Sequence, residues 1–453
     1  MQKKVLRGLF KLLVTYPRGF IKQININNLN TLKTALLNES PGQILSNATK
    51  LLQKSQNSNY SKYKPSLGKF EKSLASSSNK RKVIIVSHEA SRTGAPLIAL
   101  NIGKHFKEHF NIQPIFILCL GGELTEEFES VGPTYLLKFF HNNSILSREV
   151  RDFVKIEILS QIQSIYFNSE ASTKLLKHFK VSMPRPNRVS LVHELGRYYP
   201  KNAWRHIAKY SSHVIYPSEF VKNSAFENTP ALTNISFQVL GQGLMNTALL
   251  GQDHQKHQQE LRTRLNIPVN SKIVFGCGSP IPRKGTDLFI NSAIITLNTL
   301  TEKNQPHELP YFIWLGSHNY GEFQVWLQRD IEDSGWANHI KLIPSVSDPT
   351  LYFLGSDIFF LSSRGDPFPC VVHEALAAQL PIIAFENTNG HNDFIRTGFG
   401  KVVPYGNVYA VSLEIQKYLA NPQDLNDIDF DRLKEYFSFV SYSKSLSTLS
   451  KFS

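Results

Sequence analysis

At 453 residues, 41% apolar and 19% charged, the chain is globular in composition and long enough for about two or three domains with sizeable cores. Its net charge of +14 is unevenly placed: residues 1–82 hold 16 of the 50 Lys and Arg against two acids, Glu39 and Glu71, while the remaining 371 residues balance 34 basic against 34 acidic groups. The body is therefore neutral and its aromatic residues are not interleaved with basic ones, which excludes a nucleic-acid partner and assigns any surface attraction to the extension. Cys119, Cys277 and Cys370 are too far apart for a metal spacing or a disulfide framework, so a reducing, cytoplasmic compartment is expected.

No run of about 18 apolar residues occurs, so no transmembrane helix is expected. The short apolar stretch Leu12-Leu13-Val14 is bracketed by Lys11 and Arg18 and does not make a secretory signal. In residues 3–16, a helix turning about 100° per residue puts Val5, Leu6, Leu9, Leu12, Leu13 and Tyr16 on one side and Lys3, Arg7 and Lys11 on the other. Three readings stay open for this amphipathic basic helix. Residues 1–20 adhere to an anionic membrane surface at its inner face, or the helix packs on the body with a solvated basic face, or it is an organelle transit peptide. Residues 55–80, rich in Ser, Asn and Lys, read as a linker that completes a basic N-terminal extension over 1–80.

From residue 82 the rhythm changes. Strands are predicted at Lys82–Ser87, Pro114–Leu120, Thr134–Lys138, Ser164–Asn168, Arg188–His193, His213–Tyr216 and Phe237–Leu240, with a helix from Pro96 to about Phe106 and further helical patterns between most of them. Gly251–Glu260, rich in Gln and His, reads as a connector. The pattern then restarts, with strands at Lys272–Cys277, Tyr311–Leu315, His339–Ile343, Ile358–Leu361, Pro381–Phe385 and Lys401–Pro404. Helices are expected at Thr286–Leu300, Glu322–Ser334 and Val371–Ala378, and the tail from Asp427 reads as helical. Strands alternating with helices predict an α/β chain of two doubly wound parallel-sheet domains, 81–250 and 251–425, with a tail at 426–453. In such sheets ligands bind beyond the carboxyl ends of the strands, here the cleft between the domains.

The strongest chemical signal is SSRGDPFPCVVHEALAAQLPIIAF, residues 362–385. Asp366 falls in the loop after a strand, Pro369 suits the first turn of a helix where its missing N–H costs nothing, and Glu374 follows Asp366 by eight residues, inside that helix. Free N–H groups at the helix start make a diphosphate seat next to Phe368 and Pro369, and Glu374 can accept hydrogen bonds from sugar hydroxyls. The plainer alternative is a helix cap and a surface charge. This segment resembles the retaining glycosyltransferases of GT-B fold, the family 4 or group 1 type, whose hallmark is two acids separated by seven residues, then Ala-Leu-Ala and a strand entered through Pro. Asp366, Glu374, Ala375-Leu376-Ala377 and Pro381 match it, with Asp where the family usually has Glu. The resemblance implies that Glu374 binds the donor ribose and that the loop at Asp366 holds the sugar and phosphate.

Three further segments support it. In GCGSPIPRKGTDLFI, residues 276–290, Lys284 before Gly285 matches the family's phosphate-binding Lys; Ser279 stands where an Arg is usual, and the adjacent Arg283 is a candidate for the missing charge. In HEASRTGAPLIAL, residues 88–100, Gly94 resembles the N-domain glycine that lets backbone approach the donor phosphate or the acceptor; a tight turn is the simpler reading. In SLVHELGRYYP, residues 190–200, His193 ends a strand where the family often places a His near the donor sugar, Glu194 being a weaker candidate and a structural His the alternative. Phe167-Asn168-Ser169, Tyr216-Pro217-Ser218, Gly241-Gln242-Gly243 and Gly316 fall at comparable turns, and Pro344 to Val346 resemble the segment that seats the base.

The resemblance spans residues 82 to about 420 and implies transfer, with retention, from a nucleoside-diphosphate sugar bound by 251–425 to a glycan or lipid-linked acceptor on the side of 81–250. No cofactor is expected, and no metal, because Lys284, Arg283 and the helix starts supply positive charge to the leaving diphosphate. A sugar-nucleotide epimerase, a phosphorylase and a catalytically silent scaffold subunit for glycan assembly remain alternatives. The composition, rich in Lys and Asn, points to a bacterial source.

Overall fold

The computed structural model describes residues 81–137, 162–178, 187–303, 309–317, 321–421, 433 and 437–449. The amphipathic segment 3–16, the linker 55–80 and the first residues of the tail lie outside the described residues.

The first sheet contains β1 (Arg81–Ser87), β2 (Ile112–Leu118), β3 (Thr134–Leu136), β4 (Ile162–Asn168), β5 (Asn187–Leu191), β6 (His213–Tyr216) and β7 (Ser236–Val239). Their order is β3-β2-β1-β4-β5-β6-β7, every pair parallel. The apolar run Val83–Val86 explains why β1 lies at its centre. Side chains alternate across a strand, so Ile84 and Val86 enter one core and Val83 and Ile85 the core on the opposite face. Around the sheet pack α1 (Gly94–His109), α2 (Thr125–Val131), α3 (Lys201–Tyr210) and α4 (Glu219–Asn228).

The second sheet repeats the plan with β8 (Ile273–Cys277), β9 (Tyr311–Ser317), β10 (Ile340–Pro344), β11 (Ile358–Leu361), β12 (Ile382–Phe385) and β13 (Gly400–Val403), in the order β10-β9-β8-β11-β12-β13 and again parallel. Ile273 and Phe275 face one core while Val274 faces the other. Its helices are α5 (His254–Leu265), α6 (Thr286–Glu302), α7 (Glu322–Asp333), α8 (Thr350–Gly355), α9 (Cys370–Ala377) and α10 (Val408–Ala420). Strand order reverses between β1 and β4 in one sheet and between β8 and β11 in the other, and at these switch points loops diverge to leave a crevice.

One element differs from the sequence reading, and a second takes a position the sequence did not indicate. The stretch read as a connector is largely α5: Asp253 caps it by accepting from the Lys256 amide at 3.3 Å, and Asn266 ends it in the left-handed conformation. Its buried Arg262 bonds Asp357 at 2.7 Å, Gly355 O at 2.9 Å and Ser271 O at 2.9 Å, anchoring a helix whose sequence has almost no apolar stripe. In the tail, α11 (Phe439–Thr448) crosses back to the first domain. Phe439, Tyr442 and Leu446 join the core beneath β1 and β4, Tyr166 Oη donates to Leu446 O at 2.7 Å, and Ser164 Oγ and Asn187 Nδ2 donate to Leu449 O at 2.9 and 2.8 Å.

Candidate functional site

The carboxyl ends of both sheets face each other. A Cβ added to Gly94 would lie 3.7 Å from Cys370 Sγ, and one on Gly241 would lie 3.4 Å from Phe368 Cζ. A side chain at Gly365 would collide with Tyr198 Oη, and one at Gly390 with Ser218 Oγ. Glycine at 365 and 390 lets the loops of the two domains meet around residues 365–370.

On the C-terminal side, Lys284 and Arg283 follow β8 and Asp366 follows β11. Gly285 holds φ +68 and packs so tightly on Ser362 O that no side chain fits, which brings the two loops together. Arg364 N bonds Arg283 O at 2.8 Å and Ser362 Oγ bonds Lys284 O at 3.1 Å. Asp366 is 5% exposed and forms an ion pair with Lys284. It also lies 3.5 Å from Arg283 Nη1 and accepts from Ser363 Oγ at 3.3 Å. Arg283 therefore stands over Asp366 and Gly365 O, to which it donates at 3.0 Å, while Ser279 stays exposed in the preceding loop. Asp366 thus gathers the cations; its own oxygens are already engaged.

Glu374 is the fifth residue of α9, half-buried, with no hydrogen-bond or ion-pair partner among the described residues. Burial pushes its carboxyl up to about 7. Burial also pushes the Cys277 and Cys370 thiols up to about 12, with Glu374 adding to the rise and Lys284 opposing it, so these four groups share one space. Pro369 occupies the cap position just before α9 and Phe368 stacks on His391 at 3.9 Å. His391 Nε2 meets His373 Nε2 at 2.8 Å, and this buried pair fixes the back of α9. Pro344 closes β10 and Val346 follows it; both are exposed, and β9 separates their strand from β8.

On the N-terminal side, Gly94 begins α1 and Ala95 O accepts from Asn168 Nδ2 at 2.7 Å. His193 has both ring nitrogens occupied, Nε2 with Asn168 Oδ1 at 2.8 Å and Nδ1 with Gln242 Nε2 at 2.7 Å. The Gln242 amide donates to Nδ1, so the ring is neutral with its proton on Nε2. Burial, helped by His88, pushes the imidazole down to about 3. The ring is positioned at the cleft, but neither nitrogen is free for a sugar hydroxyl unless a partner lets go.

Glu170, which the motifs did not single out, is 2% exposed at the switch point. Its Oε1 accepts the amides of His193 and Glu194, each at 3.0 Å, while Oε2 is buried without a partner. Burial, then the neighbouring Glu194, push it up to about 8. Glu194 is also pushed up, chiefly by burial, and feels Arg283, Asp366 and Lys284 across the cleft. The detectable signal for Glu170 was an acid two residues after the strand that flanks the switch point. Ser169 before it adopts φ +84, a conformation rarely taken outside glycine.

Residues 257–430 match the family model described as Glycosyl transferases group 1. The chain is similar to the alpha-galactosylglucosyldiacylglycerol synthase of Streptococcus pneumoniae, 29% identical over 188 residues that cover 38% of this chain and 43% of that protein. It also matches an uncharacterised glycosyltransferase of Haemophilus influenzae, 41% identical over 61 residues, 14% of this chain and 16% of the relative. The chain thus spans less than half the length of these curated relatives. Among solved structures, Anabaena HepE in complex with UDP and glucose superposes with a TM-score of 0.67 at 16% identity, over 83% of this chain and 100% of the other. Among the described residues no helix is long and apolar enough to cross a membrane. Residues 257–430 thus resemble a glycosyl transferases group 1 domain, and the chain shares the two-sheet fold of HepE.

Proposed function

We propose that this protein is a metal-independent glycosyltransferase of the family 4 type that moves a sugar from a nucleoside-diphosphate sugar to an acceptor with retention at the anomeric carbon. The observation that carries the reading is the half-buried Glu374 carboxyl, without a partner among the described residues, sharing one space with Lys284 and the start of α9. A carboxylate with open oxygens suits two adjacent ribose hydroxyls. Lys284, Arg283 and the amides at the start of α9 provide positive charge where a diphosphate leaves. Because HepE is solved with UDP and with UDP-glucose, UDP-glucose is the first donor to try. Surface-polysaccharide or lipid-linked acceptors on the side of the first domain, and a place at the inner face of a membrane held by residues 1–20, belong to the same reading. A bacterial source does as well.

The test is thermal stability against UDP, GDP, ADP, CDP and TDP, followed by turnover of the matching sugar nucleotide with and without saccharide acceptors. A nucleotide at 100 times its Kd stabilises by about 2.7 kcal/mol. A response to one nucleotide, lost in Lys284→Ala and Glu374→Ala, supports the donor site. No response to any of them favours a silent scaffold, and conversion of the donor sugar without acceptor favours an epimerase.

A further inference from the structure

Beside the 362–366 loop lies a half-open pocket of about 360 Å³, lined by Arg197, Arg364, Glu386, Asn387, Thr388 and Tyr405. It is built from the loops after β11, β12 and β13 together with Arg197, which reaches over from the loop after β5. Arg197 lies against Gly365, where an added Cβ would come within 3.3 Å of Arg197 Nη2. Asp366 N donates to Thr388 O at 2.7 Å, so this cavity and the cation cluster share a wall one residue thick.

The lining has a definite chemistry. Arg364 is neutralised by Asp287, with contacts of 2.8 and 2.6 Å, and Glu386 by Arg396 at 2.7 Å. What remains is a near charge-balanced rim of planar hydrogen-bonding groups: two guanidiniums, a carboxylate and the Asn387 amide. Tyr405 stands beside them, 56% exposed, its ring held edge-on against Phe385 at 6.0 Å. A supported aromatic face with polar donors and acceptors in the same pocket fits the apolar face and hydroxyls of a pyranose ring. The volume falls within the roughly 300–1,000 Å³ of small-ligand pockets. A phosphate-sized anion would use neither the ring nor the volume.

We propose that this pocket, where Arg197 of the first domain meets the loops of the second, is a saccharide subsite for an extended acceptor that enters on the side of the first domain and reaches across the cleft. As an acceptor subsite it rests on the glycosyltransferase reading; as a saccharide site it does not, and the test separates the two. Saturation-transfer NMR on the full chain would use methyl α-D-glucopyranoside, methyl β-D-galactopyranoside, maltose and cellobiose at millimolar concentration, with inorganic phosphate as the anion probe. At least one saccharide is expected to receive saturation, with its signal falling at least fivefold in both Tyr405→Ala and Arg197→Ala. Absence of signal from every saccharide, signals unchanged in both variants, or displacement by phosphate of all that binds would each overturn the proposal. The UDP thermal response is read in parallel. Its absence from the wild type counts against the donor site, whereas saccharide binding stands or falls on the NMR result.

Discussion

Asp366 and Lys284 form an ion pair that joins the loop after β11 to the loop after β8, across the point where strand order reverses. The pair sets the Lys284 ammonium beside the start of α9, and Arg283 adds a second cation to the same carboxylate. Removing the carboxylate leaves two partly buried cations facing each other. Asp366→Asn is therefore expected to destabilise the protein by about 3 kcal/mol, the lower end for a broken buried pair because Lys284 keeps some solvent contact. UDP is expected to recover part of the loss, since a diphosphate replaces the missing negative charge. Denaturation midpoints with and without UDP decide it; an unchanged midpoint would show that the pair contributes nothing.

The Glu374 carboxyl has no partner among the described residues, so Glu374→Gln should fold normally and act on the ligand alone. Loss of a charged acceptor for hydroxyl donors costs about 1.5–3 kcal/mol, a weakening of roughly tenfold to a hundredfold in nucleotide affinity. Because the wild-type carboxyl titrates near 7, its affinity should rise from pH 6 to pH 8 as Glu374 ionises, and the variant should lack that rise. Calorimetric titration of UDP at both pH values checks this, and equal pH dependence in the two proteins sinks the ribose assignment.

Glu170 gives a separate pH signature. Its folded pKa of about 8 lies above the ordinary value of 4.5, so between these values the folded state binds the extra proton. Stability then falls as pH rises through this window, by at most about 1.4 kcal/mol per pH unit from this group. Glu374 and Glu194, both raised, tilt the curve the same way. Glu170→Gln keeps an acceptor for the His193 and Glu194 amides without a titrating proton, so its stability curve from pH 5 to pH 8.5 should be flatter than wild type. Parallel curves would place the proton elsewhere.

The tail helix should matter to the first domain, though it follows the second in sequence. Leu446 is fully buried beneath the first sheet, and Leu446→Ala should cost about 2–5 kcal/mol. Tyr166→Phe removes the donor to Leu446 O and should cost about 1 kcal/mol. Hydrogen exchange should show the added opening in β1 and β4; exchange confined to the second domain would refute the coupling.

Much of this architecture was legible in the chain. Continuous apolar runs such as Val83–Val86 and Phe359–Leu361 announce parallel strands covered on both faces, because no polar residue interrupts either side. The spacing of Asp366, Pro369 and Glu374 marked a strand, a loop and a helix start, since local geometry alone sets those positions. The α5 helix was hidden because its sequence, HQKHQQELRTRL, lacks an apolar stripe; a buried arginine anchors it to Ser271 and, some ninety residues on, to Gly355 and Asp357. Glu170 was hidden for a related reason: its significance lies in burial and in the backbone amides of residues 193 and 194, which only strand pairing brings to it. Sequence by itself determined the two parallel sheets and the line of groups along each strand end, because side-chain periodicity is a local property. Tertiary structure alone decided that Asp366 would be spent on Lys284 and Arg283, that His193 would have both nitrogens engaged, and that the Glu374 carboxyl would have no partner among the described residues. Those outcomes depend on which loops meet across the cleft, and that is set by packing between residues up to a few hundred positions apart.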